Sequence, residues 1–392
     1  MNAPSSHHEH DVAEVAGPAY TPGETAAAMA LGIMALLISG LLGLLLSALA
    51  EEHRLNASGI GLAAMLEALS TGLVTAFAGV VLKPKGLRLI AAIASVALLA
   101  VDLATTRASG GGVFAIRTLA GLPQGVLLWI AIGFISRTVT PERWAAVLFT
   151  GMGITQLGAA TLLSAAILPR FGANGGYVML AGSAALGLPI ALFLPRALGA
   201  VPGQEGEGGA GLPPPRGWVA LAATLAFGAA ISAVSVYVVP LAEQAGLGVA
   251  TGRTAISVGL GCQILGGALA MLLAGRARYI HVFWATIAGL IAAWAVYASH
   301  LPAAVFIGAA ALAGVCGGFA PPFLVPMTIE ADPTRRTAVQ SGAAQLLAGA
   351  LGPLFAALVV GERDAHGVVI LGGSLLVASL AIVIGLHRSH RA

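Results

Sequence analysis

The sequence predicts an all-α polytopic membrane protein with twelve transmembrane helices in two pseudo-symmetric six-helix bundles. Three observations predict it. The 392-residue chain is 58% hydrophobic and only 9% charged, where an ordinary soluble domain carries about 25% charged residues. Twelve apolar stretches can be drawn along it. The second half of the chain repeats features of the first.

A water-soluble fold cannot hide this much apolar surface, so composition alone assigns the membrane class. Each stretch is about long enough to cross a ~30 Å hydrocarbon layer as a helix. The spans read as 25–48, 58–82, 88–105, 112–136, 144–168, 176–195, 217–240, 251–275, 279–298, 303–327, 337–360 and 367–387. Inside lipid every backbone group must be satisfied within its own segment, which selects helices.

Lys and Arg set the orientation. With the N-terminus inside, twelve spans return the C-terminus to the same side. Thirteen basic residues, among them Lys83, Lys85, Arg88, Arg143, Arg276 and Arg335, then fall on the cytoplasmic side. Five, Arg54, Arg107, Arg170, Arg253 and Arg363, fall outside. Positive charge resists translocation, so the bias predicts a multi-pass cell (inner) membrane protein with both termini cytoplasmic.

Residues 1–24 contain no Lys or Arg. They read as a disordered cytoplasmic tail rather than a secretory signal, which needs a basic start. The bundles read as 25–195 and 217–387, with a cytoplasmic tail at 388–392. Between them, 196–216 carries Gly203, Gly206, Gly208, Gly209 and Gly211, then Pro213, Pro214 and Pro215. That composition makes a flexible linker with a stiff end.

The repeat has nearly one offset. Leu49-Ala50-Glu51 recurs at Leu241-Ala242-Glu243, and Pro141 and Arg143 recur at Pro333 and Arg335, each 192 positions later. Leu119-Ala120-Gly121 with Gly125 recurs at Leu312-Ala313-Gly314 with Gly318, 193 positions later. Six helices followed by six like-oriented ones is the parallel-repeat plan of a two-bundle transporter.

Arg117, Gly121 and Gly125 give Arg-x-x-x-Gly-x-x-x-Gly in the fourth span. After the second span, Gly79, Gly86 and Arg88 stand at a second recognisable spacing, with Lys83 where an aspartate is usual. On these motifs, the linker and the repeat, the chain resembles the major facilitator superfamily. The resemblance implies two six-helix bundles, secondary transport of a small solute, and helix packing or gating at the motif residues. It also implies that Lys83 weakens the charge–dipole latch after the second span. The fifth span lacks the Gly-Pro pair of drug–proton antiporters in that family, and Gly352-Pro353 lies in the eleventh. The first span has neither the acidic residue of aromatic-acid symporters nor the arginine of organophosphate exchangers.

Two ionisable residues read as lying well inside spans, Glu67 and Arg117. A charge at membrane depth costs at least ~2.5 kcal/mol, which makes each a functional candidate. Glu67 lies roughly 14 Å into the second span at 1.5 Å per residue. Thr71 and Thr75 share its face. A carboxyl alternating between apolar surroundings and a cation can load and release a proton. Arg117, with Gln124 on its face, is its expected partner or an anion anchor. The opposing reading of each is a structural group with a permanent partner.

Gln156, Ser232, Ser235, Tyr237, Gln263, Ser341 and Gln345 are further candidates for a substrate cavity, together with Thr71, Gln124 and Asn56. Gly121, Gly125, Gly314 and Gly318 read as close-packing positions. Pro321 and Pro322, with Pro326, should kink the tenth span. His7, His8 and His10 in the tail read as inert rather than metal-binding. Cys262 and Cys316 have no ligand or disulfide spacing. No phosphate loop is present, no nucleic-acid stripe, and no nucleophile–base set for an enzyme. No cofactor is expected.

The partners expected are the lipid bilayer, an unknown small-molecule substrate and a proton, with the chain acting as a monomer. A uniporter or exchanger without proton coupling stays open beside this reading. So does a non-transporting sensor or assembly partner.

Overall fold

The computed structural model describes residues 20–55, 57–199, 211–360 and 366–391. Asn56, the tail histidines, Arg363 and most of the expected linker lie outside the described residues. The described chain is helical, and its polarity is inside out. Arg117 and Glu67 are 0% and 1% exposed, while Phe77 and Ile370 are 66% and 72% exposed. Such a surface is stable only against hydrocarbon.

Ten stretches among the described residues are long and apolar enough to cross a membrane. One of them, Pro141–Leu192, has 52 residues, about 78 Å as a straight helix. It divides at Gly172, whose φ of 62° and ψ of −161° are not helical. The 24-residue helix Arg336–Val359 is about 36 Å long and completes a series of twelve. These are called the first to twelfth spans below.

Several spans are interrupted where the sequence reading drew them straight. The first runs as Pro22–Leu37, a 3-10 turn Ile38–Gly40, then Leu42–Glu51. Gln156 Nε2 donates to the Leu36 carbonyl at 2.7 Å, satisfying backbone next to that break. The seventh breaks between Pro215–Val236 and Val238–Gln244. The tenth breaks between Ala303–Phe319 and Pro321–Ala331, where Pro321 and Pro322 supply no N–H. At Gly172 the Ala173 N–H, opening the sixth span, donates to Glu52 Oε1 at 2.7 Å. A side chain on Gly172 would collide with that carboxylate and demand a left-handed φ.

The repeat in the sequence reappears as a repeat in packing. The second span packs on the fourth (Gly111–Ile135), and the third (Leu87–Thr105) on the sixth. In the other half the eighth (Gly248–Leu273) packs on the tenth, and the ninth (Tyr279–Tyr297) on the twelfth. The halves meet through the second span (Ala57–Val81) against the eleventh and the fifth (Pro141–Leu162) against the eighth. Exchanging the halves exchanges these two contacts.

Glycines set the closest approaches. A Cβ at Gly121 would lie 2.7 Å from Thr71 N and 2.8 Å from Glu67 O. One at Gly125 would lie 2.7 Å from Thr71 O. Gly314 and Gly318 hold the tenth span equally tightly on the carbonyls of Gly259 and Gln263. Without side chains, these helices bring their backbones into contact.

Candidate functional site

Arg117 lies at the centre of a buried charged cluster built from four spans of the first half. Its Nε and Nη2 donate to Glu67 Oε2 and Oε1 at 2.9 and 2.5 Å, a two-pronged pairing. Its Nη1 donates to Asp102 Oδ1 at 3.0 Å and to Thr105 Oγ1 at 3.2 Å. The Tyr177 ring of the sixth span lies 5.3 Å from the guanidinium carbon. The Tyr177 hydroxyl is buried with no hydrogen-bond partner among the described residues.

Gln124 sets the far side of Glu67. Its amide Nε2 donates to Glu67 Oε1 at 2.8 Å, and its Oε1 accepts from Thr71 at 3.1 Å. The Thr71 hydroxyl is also 2.8 Å from the Glu67 carbonyl. Thr71 and Gln124, expected at a cavity, are therefore placed in the charged cluster. Their spacing explains it: Thr71 is one turn from Glu67, and Gln124 is two turns from Arg117 on one face.

The sequence reading counted two ionisable groups inside the spans, and the structure adds a third. Asp102 is 2% exposed and lies only three residues before the end of the third span at Thr105. That position reads as a solvated helix end. Its burial comes from Arg117 and Tyr177 on other helices. The cluster thus holds two carboxylates and one guanidinium.

A second arginine closes the cluster on the side away from the linker. Arg54 Nη2 donates to the Thr105 and Ala108 carbonyls at 2.6 and 2.7 Å, and its Nη1 to Asn174 Oδ1 at 2.7 Å. Thr105 therefore touches Arg117 through its hydroxyl and Arg54 through its carbonyl.

A cavity of about 380 Å³ lies within the second half between the seventh and eleventh spans. Ser232, Ser235, Gln263 and Gln345 line it, as do Trp294 and Tyr297, which the sequence reading missed. Two aromatic residues in an apolar span give no polar signal to read. Gln263 also lines a neighbouring cavity of about 210 Å³ between the halves, with Gln156 on the first-half wall. Pro321 borders both. Tyr237 and Ser341 line neither cavity. Tyr237 packs on the second-half core, and the buried Ser341 hydroxyl donates to the Ala338 carbonyl at 2.7 Å.

On the linker side the halves are joined. The Gly275 N–H donates to Glu142 Oε1 at 2.9 Å, and Gln340 Nε2 donates to the Ala76 carbonyl at 2.8 Å beside Gly79. Arg335 Nη1 donates to the carbonyls of Ser136 and Thr138. Burial lowers the Arg335 guanidinium from its ordinary pKa. Gly86 and Arg88, by contrast, tie the loop after the second span to its own half. The Gly86 N–H donates to the Arg196 carbonyl, and Arg88 Nε donates to Leu194 O at 2.6 Å.

Among the described residues no group of three or more potential ligands could hold a metal ion. Comparison with known proteins gives a consistent result. The family model described as Major Facilitator Superfamily matches residues 28–357. No curated protein matches the chain by sequence. Among solved structures, the transporter FucP in the outward conformation aligns with a TM-score of 0.73 at 12% identity, covering 92% of this chain and 98% of its own. The human organic anion transporter MFSD10 aligns at 0.70 and 16% identity, covering 93% and 100%. A variant of the E. coli fucose:proton symporter FucP aligns at 0.72 and 12% identity, covering 92% and 98%.

Proposed function

The chain belongs to the Major Facilitator Superfamily, and on that premise we propose that it moves a small solute across a cell membrane by alternating access, coupled to protons. Membership supports the transporter reading. One of the similar structures is titled a proton symporter and another an organic anion transporter; neither solute is carried over to this chain.

The observation that carries proton coupling is the pair of buried carboxylates on one buried guanidinium. With both ionised, Glu67, Asp102 and Arg117 together hold one uncompensated negative charge; the neighbouring Arg54 is paired with Glu52 at 3.3 Å. At membrane depth such a charge costs at least ~2.5 kcal/mol, and one added proton removes it. Glu67 receives three N–H donors, two from Arg117 and one from Gln124. Asp102 receives Arg117 Nη1. The proton therefore rests on Asp102, with Glu67 held as the anion that fixes Arg117.

The same geometry supports a route for coupling. The second span carries Glu67 and packs on the eleventh, which lines the cavity through Gln345. A change of charge beside Glu67 acts on that contact. With the linker side taken as cytoplasmic, the contacts of Glu142, Arg335 and Gln340 close the inner side. A single chain contains both halves and works as a monomer.

The test begins with counterflow screening in liposomes to find a transported solute. Uptake of that solute driven by a pH gradient is then compared in wild type, Asp102→Asn and Glu67→Gln. Either substitution leaves a neutral cluster without an added proton. The expected result is retained counterflow with lost accumulation. Undiminished accumulation in Asp102→Asn contradicts proton coupling and leaves a uniporter or exchanger.

A further inference from the structure

The second-half cavity bears on which class of solute the protein takes. No charged side chain among the described residues lines it. Its polar residues divide into two sets. Ser232 and Ser235 are satisfied by backbone, donating to Ala348 O at 2.9 Å and Ser232 O at 3.0 Å. The amides of Gln263 and Gln345, the Trp294 indole N–H and the Tyr297 hydroxyl form no hydrogen bond with another described residue. Gln263 is exposed although it lies inside a span and lines two cavities.

Polar groups inside an apolar enclosure are normally paired. These four, without a hydrogen-bond partner among the described residues, border one cavity. Trp294 and Tyr297 are three residues apart and share a helix face. The Tyr297 ring is braced by Phe306 at 4.7 Å between centroids. A rigid aromatic wall on one side and two neutral amides nearby suit a flat molecule with apolar faces and a polar edge. A volume of about 380 Å³ has room for at least about a dozen waters, so a bicyclic aromatic molecule fits.

We infer that the solute is an uncharged, flat, largely apolar molecule with both a hydrogen-bond donor and an acceptor, held by Gln263, Gln345, Trp294 and Tyr297. Its being a transported solute rests on the transporter reading; the site itself does not. An ion would enter a space without a counter-charge, which burial disfavours strongly. Arg117 cannot serve, because its guanidinium is enclosed by Glu67 and Asp102 and lines neither cavity.

Binding of 2-naphthamide, its isosteric anion 2-naphthoate and 2-naphthylmethylammonium to the purified full chain is measured by calorimetry. The expected result is saturable binding of the amide, at least tenfold tighter than of either ion. Gln263→Leu and Gln345→Leu each weaken amide binding about tenfold, with unchanged elution on gel filtration. Preferred binding of either ion, binding of none of the three, or amide binding indifferent to both substitutions overturns the inference. Counterflow of the amide in liposomes is scored separately. A chain that binds the amide without moving any solute keeps the site and contradicts the transporter reading instead.

Discussion

Arg117 has two carboxylate partners and can neutralise only one of them. That imbalance separates a proton site from a static ion pair. Removing the guanidinium leaves two buried carboxylates facing each other. Breaking a buried pair by deleting one partner costs about 3–5 kcal/mol, so Arg117→Ala should lower the detergent-solubilised melting temperature clearly. Arg117→Lys should recover only part of the loss, because an ammonium cannot bridge both Glu67 oxygens while reaching Asp102. Equal stability of Lys and wild type would falsify the two-pronged geometry. At this scale the sequence made Glu67 and Arg117 visible, since each interrupts an apolar run. It hid Asp102, whose place near a helix end looks solvated until the fourth and sixth spans cover it. It hid Trp294 and Tyr297 as well, because aromatic residues in an apolar span look like lipid-facing surface.

Helices in lipid gain little from apolar burial against one another, so close backbone approach has to hold them. Gly121 and Gly125 of the fourth span, against the second, and Gly314 and Gly318 of the tenth, against the eighth, do this in both halves. Gly121→Leu and Gly314→Leu should each destabilise by about 1–3 kcal/mol through overpacking. Gly308→Ala, where an added Cβ meets nothing within 4 Å, should leave the melting temperature unchanged. Comparable losses at all three positions would contradict the packing account. The four glycines were legible because their spacing recurs between halves. The break at Pro321 and Pro322 was legible from chemistry. The break at Tyr237 shares that chemistry, because Pro240 has no N–H for the Val236 carbonyl one turn back, but the break at 38–41 contains no proline. The first break is next to a Leu36 carbonyl satisfied by Gln156, 120 residues away. No local pattern encodes that bond.

The whole molecule divides its work between halves of common plan. The first half holds charge in a sealed cluster, and the second holds an uncharged cavity. The second and eleventh spans connect them. The repeat was legible in the sequence because shared motifs keep nearly one offset. The division of labour was legible only at one point: 192 positions after Glu67 stands the uncharged Gly259, and Gln263 repeats Thr71. The central claim is that proton occupancy of the cluster biases how the halves sit. Lys83 and Arg276 are exposed on the linker side of opposite halves. Spin labels there, on a chain with Cys262→Ala and Cys316→Ala, report their separation in nanodiscs. The account predicts a wild-type distance distribution that changes from mildly acidic to mildly alkaline pH, and an Asp102→Asn distribution that keeps the acidic form throughout. A wild-type distribution indifferent to pH, or a pH response surviving in Asp102→Asn, would contradict it.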